Sequence, residues 1–234
     1  MEALLKLPNG LLWVGALLLV GGSFGGCTEK EQAAHEEAIP EVSLSLPQVL
    51  ILGDSISEDY YPHVRSNLVN VAETHRPKGN QGATWDALSD LSEWLGSRKW
   101  EVIHSNFGLH DIHRSTLEEY EANLTQIVEQ LKKTNAKLIF ATSTPVPEGT
   151  PRFVKGSAEP YNEVARRVME RAEGIMIDDL HSFARAHPEY QRKKELHFTD
   201  QGYAALGKQV ATSIVRALDE SSDGKAEASS LSSP

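Results

Sequence analysis

A serine and a histidine far apart in the chain carry the chemistry that this sequence can do. Ser55 closes the run Val49-Leu50-Ile51-Leu52-Gly53-Asp54-Ser55, an apolar stretch cut off by a glycine and two polar residues. Such a run predicts a buried strand that delivers a hydroxyl to the carboxyl edge of a sheet, where open α/β folds place their ligands. His197 stands in a loop just ahead of a helical pattern, in His197-Phe198-Thr199-Asp200-Gln201-Gly202-Tyr203. A serine hydroxyl is a weak nucleophile at neutral pH until a base takes its proton, and imidazole is the usual base. The pair predicts nucleophilic hydrolysis, provided that the fold brings residues 55 and 197 together.

The elements between them must do that positioning. Gln48 to Leu52 reads as a strand, residues 60–67 as a short helix and residues 68–72 as a second strand. Ala87, Leu88, Leu91, Trp94 and Leu95 recur at helical spacing and Gly96 stops that helix. Residues 101–107 form another strand pattern, ending at Gly108. Ser115 and Glu118 give a capping-box signature, followed by Leu117, Tyr120, Leu124, Ile127, Val128 and Leu131 on one face. Residues 136–141 read as a buried strand, and a proline-rich loop follows from Thr144. Pro160 suits the first turn of a helix with Val164, Ala165, Val168 and Met169 as its stripe, closed by Gly174. A short strand at 175–177 and a helix at 202–218 complete the pattern. Strands alternating with helices predict an α/β fold, a three-layer α/β/α sandwich around a parallel sheet. The loops after the strands share one rim, which carries Ser55, the Gly108 loop and the loop at Pro145.

The ends of the chain read differently. Residues 11–20 are an apolar block preceded by Lys6 and followed by small residues up to Cys27, the one cysteine of the 234-residue sequence. The block is shorter than the roughly 20 residues that a membrane span needs and fits the core of an export signal. Gly25-Gly26-Cys27 resembles the cleavage site of a bacterial lipoprotein, which makes Cys27 a candidate lipidation site; a plain signal peptide over 1–27 and an uncleaved anchor are the alternatives. Residues 28–47 read as a solvated tether and residues 219–234 as a disordered tail. The formal charge of −10 disfavours a nucleic-acid partner. Residues 48–218 form one domain of common size.

Three blocks then bear a resemblance. Gly53-Asp54-Ser55-Ile56 after the first strand, Gly108-Leu109-His110-Asp111 after a middle strand and His197 before the last helix together resemble the SGNH, or GDSL, hydrolase family. The likeness covers residues 48–218. It implies a flavodoxin-like sandwich and hydrolysis of esters through an acyl-enzyme, with Ser55 as nucleophile and His197 as general base. It also implies an oxyanion hole made from the Ser55 amide, the amide of Gly82 and the side chain of His110. Asp54, Gly108 and Asp111 are then supporting residues. The chain departs from the family pattern twice. His110 stands where the third block usually has asparagine, although imidazole can also donate an N–H. Lys194 stands where the triad aspartate usually precedes the histidine by three residues, which leaves Glu195 as the candidate acid and Asp178 and Asp179 as alternatives.

The resemblance calls for no cofactor. Its substrate is an ester of a small molecule or carbohydrate, and the lipid on Cys27 would hold the protein to a membrane of the cell envelope. Two rival readings stay open. His104, His110, Asp111 and His113 crowd together and invite a metal site, although their spacing matches no trusted ligand set. A binding protein that keeps the hydrolase scaffold without catalysis is the other. The pairs Arg98-Lys99 and Lys193-Lys194 read as solvated, and Trp85, Trp94 and Trp100 as packing residues.

Overall fold

The computed structural model describes residues 45–230, and side chains as far as residue 220. The expected export signal with Cys27, most of the expected tether, up to residue 44, and residues 231–234 lie outside the described residues. A run buried on both faces of a sheet is apolar throughout, and β1 (Gln48–Leu52) is such a run after its first residue. Val49 and Ile51 join one apolar cluster with Tyr60, Val64, Leu206 and Val210. Leu50 and Leu52 point the other way, into a cluster with Ala87, Leu91, Ile127 and Leu131. Each such side chain contributes roughly 1.5–3 kcal/mol by leaving water.

Four further strands, β2 (Glu73–His75), β3 (Val102–Ser105), β4 (Lys137–Ala141) and β5 (Ile175–Asp178), complete the sheet. Their order is β2-β1-β3-β4-β5 and every pair is parallel. The sheet is flanked by α1 (Ser55–Asn67), α2 (Thr84–Leu95), α3 (Leu117–Lys132), α4 (Glu159–Ala172), α5 (Leu180–Ala186) and α6 (Asp200–Ser230). This is the flavodoxin-like order, and its topological switch point lies between β1 and β3, where ligands of such sheets bind. Helices α1 and α6 pack together on one side, while α2, α3 and α4 run side by side on the other. Close approach of α6 to α1 requires Gly207, because a Cβ there would lie 2.5 Å from the Cβ of His63.

Several boundaries differ from the sequence expectation. Helix α1 begins at Ser55 and not at residue 60, because Asp54 caps it by accepting from the Ile56 amide. Residues 68–72 form no strand. The Val71 and Ala72 amides both return to the Leu68 carbonyl, Asn70 is left-handed, and Val69 is exposed. The capping box of α3 is Thr116 with Glu119, one residue later than expected. The segment offers the signature in two registers, and Ser115 instead turns to Asp111. Helix α5, capped by Asp179, was not expected. Trp100 is buried as expected, but Trp85 is 38% exposed. Helix α6 starts at Asp200 and continues to Ser230, although its last fully buried apolar residue is Ala217.

Candidate active site

The corner between β1 and α1 presents the serine. Gly53 permits it, since a Cβ at that position would crowd the Ser57 hydroxyl at 2.9 Å and the Asn106 carbonyl at 3.2 Å. Asp54 is buried as the helix cap, and Ser55 opens the first turn of α1. The Ser55 amide is therefore among the first-turn donors that a helix cannot satisfy internally, at its electropositive end.

The loop from Gln191 to Thr199 returns the histidine to this corner. It is tied down by the Arg192 amide on the His197 carbonyl and by the Thr199 amide on the Tyr190 carbonyl. The Gln191 side chain reaches the Pro145 and Leu196 carbonyls. His197 then places Nε2 3.0 Å from the Ser55 hydroxyl oxygen, across 142 residues of sequence. Both residues open on a cavity of about 230 Å³, walled on its apolar side by Leu109, Ile112 and Phe153. A hydroxyl at that distance from an imidazole, in a half-buried pocket, can lose its proton as it attacks an electrophile.

The expected acid is elsewhere. Glu195 is exposed and faces Arg192 at 3.8 Å. Asp178 accepts from the buried His104 at 3.2 Å and from Gln209 at 2.9 Å, while Asp179 caps α5 and pairs with Arg166 at 2.6 Å. Among the described residues no carboxylate bonds to His197. Asp54, the buried cap beside Ser55, is pushed above the usual carboxylate range by burial, against the pull of His110, the Ile56 and Ser57 amides and, least, His197.

The second and third blocks meet around a residue that the sequence reading did not single out. The Gly82 amide donates to Asn80 Oδ1 at 2.8 Å, and Asn80 Nδ2 lies 3.2 Å from His110 Nε2. Since Oδ1 is the acceptor for Gly82, Nδ2 is the donor and Nε2 the acceptor, which puts the proton of a neutral His110 on Nδ1. His110 lines the catalytic cavity. Asn80 differs from other loop asparagines by nothing visible in sequence, since only the paired loops reveal its partners.

Arg76 was also missed. Its guanidinium donates to the carbonyls of Gly53 at 3.2 Å, Asp54 at 3.1 Å, Pro77 at 3.0 Å and Gly79 at 2.8 Å, and to the Ser57 hydroxyl. It clamps the serine corner to the loop that carries Asn80 and Gly82. Asp111 is supporting in the same sense. It accepts from the Thr84 hydroxyl at 2.6 Å and from the Thr84 amide, fixing the start of α2 to the Gly108 loop. Burial pushes its carboxyl up, against those hydrogen bonds.

The crowd of histidines disperses in space. His104 is buried against Asp178, His113 rests against the Phe153 ring at 5.8 Å, and His110 meets Asn80. Among the described residues no three His, Cys, Asp or Glu side chains gather as metal ligands do.

Comparison with known proteins places this geometry. The fold resembles an acetyl xylan esterase, AlAXEase, with a TM-score of 0.61 at 16% identity over 71% of this chain and 99% of that one. It also resembles a lipase/acylhydrolase from Enterococcus faecalis, with a TM-score of 0.64 at 19% identity over 72% and 95%. A third likeness is to Axe2, an acetylxylan esterase from Geobacillus stearothermophilus, with a TM-score of 0.59 at 16% identity over 71% and 93%. No curated protein matches the sequence. Residues 51–205, more than half of the chain and the span from β1 to the start of α6, match the GDSL-like lipase/acylhydrolase family. The chain therefore belongs to that family and is an ester hydrolase.

Proposed function

We propose that the protein is a serine esterase that forms an acyl-enzyme on Ser55, and that its substrates are O-acylated, in particular O-acetylated, carbohydrates. The observation that carries the mechanism is the 3.0 Å contact between the Ser55 hydroxyl and His197 Nε2 at the switch point of the sheet. His197 takes the hydroxyl proton as Ser55 Oγ attacks the ester carbonyl. The carbonyl oxygen becomes an oxyanion beside the Ser55 amide at the start of α1. His197 then protonates the departing alcohol. Water, deprotonated by the same imidazole, attacks the acyl-serine, and the acid leaves with Ser55 regenerated.

The remaining donors of the oxyanion hole are His110, through Nδ1–H, and the Gly82 amide, which must loosen its bond to Asn80 to take part. A preorganised donor of this kind is worth about 10² to 10³ in rate. Catalysis proceeds as a Ser55–His197 dyad in the field of Asp54; loss of the triad acid weakens such a site without abolishing it. The carbohydrate reading draws support from the two acetyl xylan esterases among the structural relatives. The wild type should hydrolyse nitrophenyl acetate and acetylated xylo-oligosaccharides, and Ser55→Ala and His197→Ala should each lose at least about 10³-fold in kcat with unchanged circular dichroism. Turnover at the wild-type level in either variant would falsify the mechanism.

The export signal and the lipid on Cys27 belong to the same proposal. The apolar block at 11–20 and the Gly25-Gly26-Cys27 run support them.

A further inference from the structure

We infer that the ester taken by this site carries an anionic group, a carboxylate or a sulfate on the carbohydrate, held in a cationic cavity beside the catalytic one. The inference rests on the esterase reading above. The second cavity is larger, about 620 Å³, within the range of small-molecule sites. It lacks the serine and histidine and so is not where bonds break, but the same two loops contribute residues to both cavities. The loop before the base contributes Gln191 and Lys194 to the larger cavity, and Leu196 and His197 to the catalytic one. The loop after β4 contributes Lys155 to the larger cavity and Phe153 to the catalytic one. A chain of sugar units can therefore present an ester to Ser55 while a neighbouring unit occupies the larger space.

Charge identifies that neighbour. Lys155, Arg185, Arg192, Lys193 and Lys194 line the cavity, against Glu148 and Glu159. This concentration of positive charge occurs on a protein whose formal charge is −10. Lys155 and Arg192 have loose carboxylate partners, at 3.5 Å and 3.8 Å. Among the described residues Arg185, Lys193 and Lys194 have none. Cations gathered in one concavity repel one another and raise the local concentration of anions. Arg114, likewise without a carboxylate partner among the described residues, extends the positive field into the catalytic cavity. Pro145, Val146 and Pro188 supply an apolar wall of the kind on which a sugar face can rest.

Lys194 adds an observation independent of charge. Its backbone is left-handed, with φ of +60°, which a long side chain seldom adopts and which persists when its surroundings hold it. Its stem lies across Gly149, where a Cβ would come within 3.1 Å of Lys194 Cγ and 3.2 Å of Cδ. The residue at the family's usual acid position thus lines the second cavity, with its stem beside Gly149.

The test compares acetylated xylo-oligosaccharides with the same backbone bearing a glucuronate branch or a sulfate, using wild type and the double variant Arg185→Glu/Lys193→Glu. The wild type should prefer one or both anionic substrates by about tenfold or more in kcat/KM, and the preference should shrink between about 50 and 500 mM salt. The carboxylate and sulfate arms tell the two groups apart. The double variant should lose the preference while keeping its activity on nitrophenyl acetate, whose small size confines it to the catalytic cavity. Equal kcat/KM for anionic and neutral substrates in the wild type, or a preference that survives in the double variant, overturns the inference. Calorimetry with Ser55→Ala and the deacetylated anionic oligosaccharides decides it apart from turnover. Salt-sensitive binding, abolished by adding the two substitutions, supports the cavity even if nitrophenyl acetate is not hydrolysed, a result that would sink the esterase reading alone. Absence of binding sinks the cavity.

Discussion

At the scale of single residues, the proposed site combines Ser55 and His197, 3.0 Å apart, with an oxyanion hole in which His110 takes the place of the family's asparagine. The altered part makes distinct predictions. His110→Ala removes the side-chain donor and should lower kcat by about 10²-fold with little change in KM, because the donor acts on charge that develops only in the transition state. His110→Asn restores the residue that the family usually carries and should retain most of the activity. Asn80→Asp keeps an acceptor for Gly82 but replaces the donor that faces His110 Nε2, so kcat should fall by about tenfold or more while the fold survives. If Asn80→Asp matches the wild type on a nitrophenyl ester, Asn80 has no part in arranging the hole. Ser55 and His197 were legible in sequence because chemistry demands those residue types and each sits at a recognisable element boundary. Asn80 and Arg76 were not, because their importance lies in partners 30 residues on and 22 residues back. Glu195 shows the opposite hazard. Nearness in sequence to the histidine offered a carboxylate that the backbone turns outward to Arg192.

At the scale of elements, the corner between β1 and α1 does most of the positioning. Arg76 holds it to the neighbouring loop by charge-assisted bonds to carbonyls, which a lysine lacks the fork to reproduce. Arg76→Lys should lower stability by about 1.5–3 kcal/mol and reduce kcat, since each such bond is of that order; denaturant unfolding measures the first. Asp54 gives a pH-dependent prediction. Burial raises its carboxyl, so the folded state binds more protons than the unfolded chain above the ordinary carboxylate pKa of about 3.9. Stability that is present when Asp54 is protonated is then lost as pH rises through the raised value. Asp54→Asn keeps an acceptor for the Ile56 amide and removes that loss. The melting temperature of the wild type, relative to the variant, should fall from about pH 4 upward; parallel curves would contradict it. Strand and helix types were readable here from periodicity, whereas the start of α1 was not. The same Gly-Asp-Ser triplet serves as a turn, a cap and the first helical residue, and a reading that treats it as loop loses five residues of helix.

At the scale of the whole molecule, alternating strands and helices implied a parallel sheet with the buried run at residues 49–52 inside it, while its flavodoxin-like order was implied by the family resemblance alone. The short edge strand β2 and the loop packing behind the second cavity were not implied. Both depend on tertiary contacts that local pattern does not encode. Lys193 and Lys194 are exposed, as the sequence implied, but only the fold shows that they line a concavity. The proposed anchoring also belongs to the scale of the whole chain. Cys27→Ser expressed in a bacterial host should move the protein from the membrane fraction to the soluble envelope fraction and abolish incorporation of labelled fatty acid. Retention in the membrane with no label in the wild type would contradict lipidation.

The enzymatic account depends on Ser55 being the activated nucleophile. Incubation with a fluorophosphonate followed by intact-mass and peptide mapping tests this directly. One adduct per chain should form, on Ser55, absent in Ser55→Ala and slowed by at least about 10²-fold in His197→Ala. An unlabelled Ser55 in a protein that still turns over nitrophenyl acetate would contradict the account.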